Sequence, residues 1–252
     1  MTQQADTQSV YDRITQQRNC GHKQIAVLID PDKTNLNDLN TLTGIINAAA
    51  PDLLLVGGSS VGQPLDTLVL GLRKRLITTP IVLFPGDAAQ VTPHANALLF
   101  LSLLSGLNPE FLIGQQARAA RRVLHSGIEV IPTAYLLIDG GTVSAVQRVS
   151  ATTPLQATDI TRITDIAIAG QLMGMNTIYL EAGSGARNPV SRKVIQSVRQ
   201  HTSALLMVGG GITTPDSIIN ALDAGADIVV IGNHFENNPQ DIIPFCQIVH
   251  QY

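Results

Sequence analysis

Tryptophan is absent from the 252-residue sequence, and the aromatic complement stops at four Tyr and five Phe. Any large core therefore has to be assembled from Leu, Ile, Val and Ala. Charge is also scarce, at 14 % of residues against the ~25 % of an ordinary globular domain. Sixteen Lys and Arg face nineteen Asp and Glu, leaving a net charge of −3 and none of the basic surplus of a nucleic-acid binder. The only cysteines, Cys20 and Cys246, lie near opposite ends of the chain, without a CxxC pattern or a neighbouring His. They read as free thiols in a reducing compartment. The longest apolar run, Ala97 to Leu104, is far short of the ~20 residues of a spanning helix, and the first residues lack the apolar stretch of a signal peptide. These absences predict a soluble, cytoplasmic protein that inserts in no membrane and binds no nucleic acid.

What the chain does have is aliphatic bulk and glycine, with 44 % apolar residues and 21 Gly. That balance excludes a disordered chain, and a chain of this length can bury about three quarters of its unfolded surface. Short runs rich in Leu, Ile and Val predict strands near 24–29, 52–57, 80–84, 97–101, 128–133, 176–180, 204–208 and 227–231. None alternates strictly, which is the pattern of strands buried on both faces of a parallel sheet. Thr214-Pro215-Asp216 supplies a cap oxygen, a first-turn proline and an acid for a helix start, with Gly225 placed to end it. Asn108-Pro109-Glu110, Asn188-Pro189 and Asn238-Pro239 repeat that grammar.

Eight strands with intervening helices over this length predict one domain, residues 1–252, folded as a (β/α)8 TIM barrel, with an open doubly wound sheet as the alternative. Residues 85–95, with Pro85, Gly86 and Pro93, leave no room for a full helix. Residues 139–157 are too long for a simple loop and predict a small hairpin or lid over the barrel mouth.

Three strand ends carry the chemistry. Gly209, Gly210 and Gly211 after the seventh run, and Gly232-Asn233 after the eighth, lie where barrels commonly bind phosphate. Glycines there let backbone N–H groups approach an anion, unless they serve only to turn strand into helix. At the sixth run, Tyr179 and Glu181 share a face that points into the barrel. Glu181, a carboxylate at an apolar rim, suits a general base; the plainer reading pairs it with an arginine. After the first run, Asp30 and Asp32 precede Lys33. Asp30 can hold Mg²⁺ through one carboxylate, with water and substrate phosphate supplying the other ligands, or it can simply cap the following helix. Gly57, Gly58, Ser59 and Ser60 follow the second run and face the same space. The six histidines are scattered without metal-ligand spacing, and Arg118, Arg121 and Arg122 read as a solvated face or an oligomer contact. No GxSxG, P-loop or early GxGxxG is present.

Taken in order, LIDPDK at 28–33, VGGSS at 56–60, YLEAGSGARNPV at 179–190, VGGGI at 208–212 and GN at 232–233 resemble the geranylgeranylglyceryl phosphate synthase family, which includes heptaprenylglyceryl phosphate synthases. The resemblance runs from about residue 24 to 235. It implies a modified TIM barrel whose third helix is replaced by a loop. It implies an Mg²⁺-dependent transfer of a prenyl group, taken here as geranylgeranyl, from its diphosphate to the C3 hydroxyl of sn-glycerol 1-phosphate, in a homo-oligomer (dimer or hexamer). Carried over residue by residue, Asp30 and Ser59 match the magnesium-associated positions. Tyr179, Leu180, Glu181, Ala182, Gly183, Ser184 and Gly185 match the glycerol phosphate segment, with Glu181 as base. Gly210, Gly211, Gly232 and Asn233 match the phosphate-cradling backbone. One branch of the family has a lysine two residues before Asp30; Leu28 stands there, so that contact is absent and the pattern sits closer to the longer-chain branch.

A prenyl tail offers apolar surface worth ~0.8 kcal/mol per buried CH₂, so a groove is expected where the third helix is missing, with Tyr135 and Leu136 among its candidates. The rival enzyme reading is a phosphosugar isomerase or aldolase barrel. The rival of another class is a noncatalytic phosphate-binding assembly protein.

Overall fold

A computed structural model describes residues 8–59, 62, 63 and 65–252; Ser60 of the second glycine loop lies outside the described residues, as do 1–7. Eight parallel strands close into a barrel in the order β1 to β8. They are β1 (Gln24–Ile29), β2 (Leu53–Val56), β3 (Ile81–Leu83), β4 (Ala97–Leu103), β5 (Glu129–Leu137), β6 (Thr177–Glu181), β7 (Leu205–Gly209) and β8 (Ile228–Ile231). β8 returns to β1 with Gln24 opposite Ile228 and Val27 opposite Ile231. Every expected strand is present, and β5 continues four residues beyond its expected end at 133 because it pairs first with β4 and then with β6, Thr133 to Leu137 opposite Thr177 to Glu181.

The absence of alternation has its explanation in two apolar layers. Ala26, Leu55, Val82, Leu99, Tyr179 and Met207 pack inside the barrel. Their strand neighbours Ile25, Leu54, Leu98, Leu180 and Leu206 face outward against the helices. The helices are α1 (Val10–Asn19), α2 (Leu39–Ala49), α3 (Leu65–Arg73), α4 (Gln115–Ser126), α5 (Ala145–Ser150), α6 (Ile160–Leu172), α7 (Arg192–His201), α8 (Pro215–Asp223), α9 (Asn233–Asn237) and α10 (Ile242–His250). α1 closes the N-terminal end: its Val10 and Ile14 join the interior layer, and the N–H groups of Val10 and Tyr11 donate to the Glu129 carboxylate at 2.6 and 2.9 Å.

Helix starts follow local chemistry. Thr214 caps α8 in a reciprocal box with Ser217, Pro215 opens its first turn, and Gly225 follows its end at φ +112°. Asn108 accepts from the Glu110 N–H at 3.0 Å, and a wide turn over Glu110–Gly114 leads into α4. Asn238-Pro239 opens a short 3-10 turn before α10. Asn188-Pro189 starts no helix. The Asn188 N–H is committed to the Gly140 carbonyl, closing a loop between strand ends, and Ser191 caps α7 instead. No helix joins β3 to β4, as the 85–95 composition predicts. Residues 139–157 hold the short helix α5, and no hairpin: Ile138 makes a single parallel bridge to Leu155.

The N-terminal face is held by Asp227. Its buried carboxylate accepts from the Leu206 N–H at 2.8 Å and from Arg199 at 2.8 Å, with Arg18 at 3.8 Å. Truncating Asp227 strands Arg199 and an amide in a largely dry site. Asp227→Ala is expected to lower the unfolding free energy by roughly 3 kcal/mol in a denaturant titration. A loss below about 1 kcal/mol marks the cluster as an ordinary surface pair.

Candidate functional site

At the C-terminal ends of the strands lies a cavity of about 480 Å³ lined from all sides by strand-end loops. Glu181, the last residue of β6, projects inward and is 7 % exposed. Burial raises its pKa; the nearby Tyr179 hydroxyl and the Gly183 N–H, which donates at 2.6 Å, pull the other way without cancelling the rise. Glycine is what allows this placement. A Cβ on Gly210 would overlap a Glu181 carboxylate oxygen and stand 2.7 Å from the Gly183 nitrogen, and Gly210 also sits at φ +81°. A Cβ on Gly209 would stand 3.0 Å from the other carboxylate oxygen and overlap the Tyr179 hydroxyl.

Tyr179 is fully buried, in contact with Phe84 and Tyr135 at centroid distances of 5.4 and 5.3 Å. Its hydroxyl lies beside Glu181, yet its geometry falls short of a full hydrogen bond, leaving a buried donor without a partner at the cavity wall. Burial, then the Glu181 charge, holds the Tyr179 and Tyr135 hydroxyls well above the usual tyrosine pKa, so both are protonated donors.

The glycine loops after β6, β7 and β8 surround one end of the cavity. Gly183, Ser184, Gly185, Gly210, Gly211, Gly232 and Asn233 all line it. The N–H groups of Ser184, Gly185, Gly210 and Gly211 donate to no acceptor among the described residues. Unpaired N–H groups in loops that line a cavity, next to the start of α9, are the kind of donors an anion requires. Leu180 and Ala182, by contrast, belong to the outer apolar layer against the helices; their side chains face away from the cavity, as strand alternation requires.

On the opposite side stands Asp30. Its Oδ1 accepts from the Asp32 N–H at 3.0 Å, so it does cap the following turn, while its carboxylate also opens on the cavity beside Gly58 and Ser59. Asp32 points elsewhere, accepting from the Gly62 and Gln63 N–H groups at 3.0 Å. Among the described residues no three His, Cys, Asp or Glu side chains gather as a metal cage. One carboxylate with an adjacent hydroxyl is nevertheless a donor set suited to Mg²⁺, which keeps its waters and takes substrate phosphate oxygens. Lys33 bridges Glu236 at 2.9 Å and Asp30 at 3.7 Å. Burial alone would lower its pKa, and the two carboxylates outweigh that to raise it.

A second, apolar cavity opens between the β3–β4 connection and α4, walled by Leu98, Phe100, Leu101, Phe111, Ala119 and Val123. Phe84, Tyr135, Ser59, Val146 and Val149 border both cavities, so the polar chamber and the apolar groove share a wall. Tyr135 lines the groove as expected. Leu136 does not, because it alternates outward into the helix layer. Several groups were not foreseen as part of the site, Val146 and Glu236 among them. Arg148 and Val149 reach the cavity from α5, and Gln90 ties the loops after β2 and β3 together. Nothing in the spacing of the 139–157 segment distinguishes Arg148 from a solvated arginine. Arg122, read as part of a solvated face or an oligomer contact, donates to the Ala89 carbonyl at 3.1 Å and fastens the β3–β4 connection to α4.

Residues 14–249 match the model of the PcrB family. The geranylgeranylglyceryl phosphate synthase of Zunongwangia profunda is 43 % identical over 228 residues, which cover 90 % of this chain and 97 % of that one. The protein of the same name from Chitinophaga pinensis is 43 % identical over 244 residues, 96 % of each chain. Among solved structures, the (S)-3-O-geranylgeranylglyceryl phosphate synthase of Thermoplasma acidophilum, in complex with the substrate sn-glycerol-1-phosphate, superposes with a TM-score of 0.90 at 28 % identity, covering 98 % of this chain and all 100 % of that one.

Because the folded state holds the Glu181 proton more tightly than the unfolded chain, stability is lost as pH rises from the ordinary carboxylate pKa through the raised one. Glu181→Gln, which cannot ionise, is therefore expected to melt above the wild type at neutral pH and to converge with it toward about pH 4. A Tm difference that stays constant over that range contradicts the raised pKa.

Proposed function

The chain belongs to the PcrB family, and from that premise we propose that it is a geranylgeranylglyceryl phosphate synthase, a prenyltransferase of ether-lipid synthesis. It alkylates the C3 hydroxyl of sn-glycerol 1-phosphate with geranylgeranyl diphosphate. The observation that carries this reading is the shared wall: an anion-cradling chamber with a buried carboxylate opens directly into an apolar groove.

In this reading the phosphate of glycerol phosphate is held by the N–H groups of Ser184, Gly185, Gly210 and Gly211 with the start of α9 at Gly232-Asn233. The Tyr179 hydroxyl supplies a further donor to the same substrate. The prenyl tail lies in the groove beside Phe111 and Ala119, which places the allylic carbon near Tyr135 and Ser59. Glu181 takes the proton of the C3 hydroxyl as its oxygen forms a bond to the allylic carbon. The carbon–oxygen bond to diphosphate breaks, and diphosphate leaves with the electron pair. Asp30 and Ser59 would hold Mg²⁺, which would supply charge neutralisation for that leaving group. Fixing both substrates across one wall converts an encounter into an oriented displacement.

A raised carboxylate pKa favours this work, since a base is most effective when its pKa lies near the operating pH. An aldolase reading fits less well. A lysine nucleophile needs a lowered pKa, whereas Lys33 is ion-paired and raised, and a groove of this apolarity has no use in handling a phosphosugar. A noncatalytic phosphate binder would not need an acid desolvated above its cradle. We also propose a homo-oligomer in the cytoplasm. What supports this is the set of exposed apolar side chains Leu107, Ile113, Leu124, Leu172 and Met173, together with the absence, among the described residues, of any helix long and apolar enough to cross a membrane.

Radiolabelled sn-glycerol 1-phosphate incubated with Mg²⁺ and prenyl diphosphates of several lengths is expected to move label into the organic phase, most with geranylgeranyl. Label that stays aqueous under every condition overturns the reading. Glu181→Gln is expected to bind glycerol phosphate as before and to lose about 10² to 10⁴ in turnover. In the wild type, turnover falls on the acid side at a pH above the ordinary carboxylate range, where Glu181 takes up its proton. Asp30→Asn is expected to need more Mg²⁺ for half-maximal rate, and an unchanged metal titration removes Asp30 from that role.

A further inference from the structure

The connection from β3 to β4 does more than leave space for a groove. Gln90, within it, is 4 % exposed. Its Oε1 accepts from the Gly86 N–H at 3.2 Å and the Gly58 N–H at 3.4 Å, and its Nε2 donates to the Gly58 carbonyl at 2.9 Å. One amide side chain thus grips both polar groups of Gly58. The backbones it joins are already touching: a Cβ on Gly86 would overlap the Gly58 carbonyl and stand 2.7 Å from the Ser59 Cα. On the other side, a Cβ on Gly58 would stand 3.2 to 3.4 Å from the Asp30 carboxylate. Gln90, Gly58-Ser59 and Asp30 therefore form a continuous stack, with Asp30 and Ser59 exposed to the cavity and the amide behind them.

From this stack we propose that Gln90 is a positioning residue for the diphosphate half of the site. It holds Gly58 and Ser59 against Asp30 so that carboxylate and hydroxyl face one magnesium-bound diphosphate. The inference rests on the reading under Proposed function and adds a residue on the far side of the loop from any ligand. Two features make it separable from general folding. The β3–β4 connection has anchors of its own, with the Ala88 N–H on Gln115 at 2.7 Å, Arg122 on the Ala89 carbonyl at 3.1 Å and Arg73 on the His94 carbonyl at 3.1 Å. The glycerol phosphate cradle stands on the loops after β6, β7 and β8, and Gln90 makes no hydrogen bond to it.

The test compares Gln90→Met, close in length but unable to bridge, with Arg73→Met, which loosens the same connection from the α3 side, away from the groove. Calorimetry with inorganic pyrophosphate, with and without Mg²⁺, accompanies steady-state kinetics. Gln90→Met is expected to weaken magnesium pyrophosphate binding and raise KM for the prenyl diphosphate about tenfold, the loss of one to two net hydrogen bonds, with KM for glycerol phosphate unchanged. Arg73→Met is expected to leave both constants unchanged. Equal rises in both KM values, unchanged pyrophosphate binding, or the same shift in Arg73→Met overturns the proposal. If Gln90→Met yields no folded protein, Gln90→Asn decides. It keeps a neutral amide but is one methylene too short to bridge Gly86 and Gly58, so a selective rise in prenyl diphosphate KM supports the proposal and no rise overturns it. Wild-type protein that binds magnesium pyrophosphate but forms no prenylated product fails the proposed reaction alone, since the Gln90 comparison is then read from pyrophosphate binding.

Discussion

A carboxylate buried at the end of β6 sets the terms for the rest of the site. Ionised Glu181 is costly in an apolar barrel, and the cost is limited only where backbone dipoles come close. Side chains would keep them away, so the strand ends around it are glycine. Gly209 and Gly210 let the β7 end press against the carboxylate, and Gly183 turns its N–H onto it at 2.6 Å. The same absence of side chains leaves the Gly210 and Gly211 N–H groups bare toward the cavity. The elements that accommodate the Glu181 carboxylate thus also carry the N–H groups that are left without acceptors.

The missing third helix is the second constraint. A barrel strand without its helix exposes its outer face, and here that face remains apolar: Leu98 and Phe100 wall the groove with residues of α4. An open hydrophobic trough of this kind is a liability unless something fills it. The chain fences it with an anchored loop on one side and α5 on the other, whose Val146 and Val149 border both cavities. α5 is itself registered to the loop that follows Glu181. Its cap Ser144 packs against Gly183, where a Cβ would approach the Ser144 Cβ to 2.7 Å. The cover over the apolar groove and the amide on the Glu181 carboxylate therefore meet at one glycine.

Most of this architecture is readable along the chain because its signals are local. Eight aliphatic runs without alternation specify strands buried on both faces, and Thr214-Pro215 specifies a helix start whatever the tertiary setting. The misreadings occur where a distant group decides. Asn188-Pro189 has the grammar of a helix start, but Gly140 claims its N–H. The 139–157 segment forms a helix because Ser144 finds Gln147 to cap and Val146 finds an apolar wall, neither visible as periodicity. Leu136 adjoins Tyr135 in the sequence but is turned away from the groove by the strand's period of two. Gln90 leaves no trace at all: a glutamine between alanine and valine in a polar loop gives no hint of its partner thirty-two residues earlier.

The division of labour across the wall explains why so little charge suffices. The glycine loops present neutral N–H groups, which attract an anion through preorganised dipoles rather than through charge. Fixed dipoles need no counter-ions and add nothing to net charge. Of the cations that line the chamber, Lys33 is committed to Glu236 and Asp30, whereas Arg148 donates to the Val143 carbonyl and pairs with no carboxylate among the described residues. Side-chain charge is therefore concentrated at the Asp30 end of the chamber, where one ammonium bridges two carboxylates. At the glycine end the polar groups are backbone N–H donors grouped around the Glu181 carboxylate.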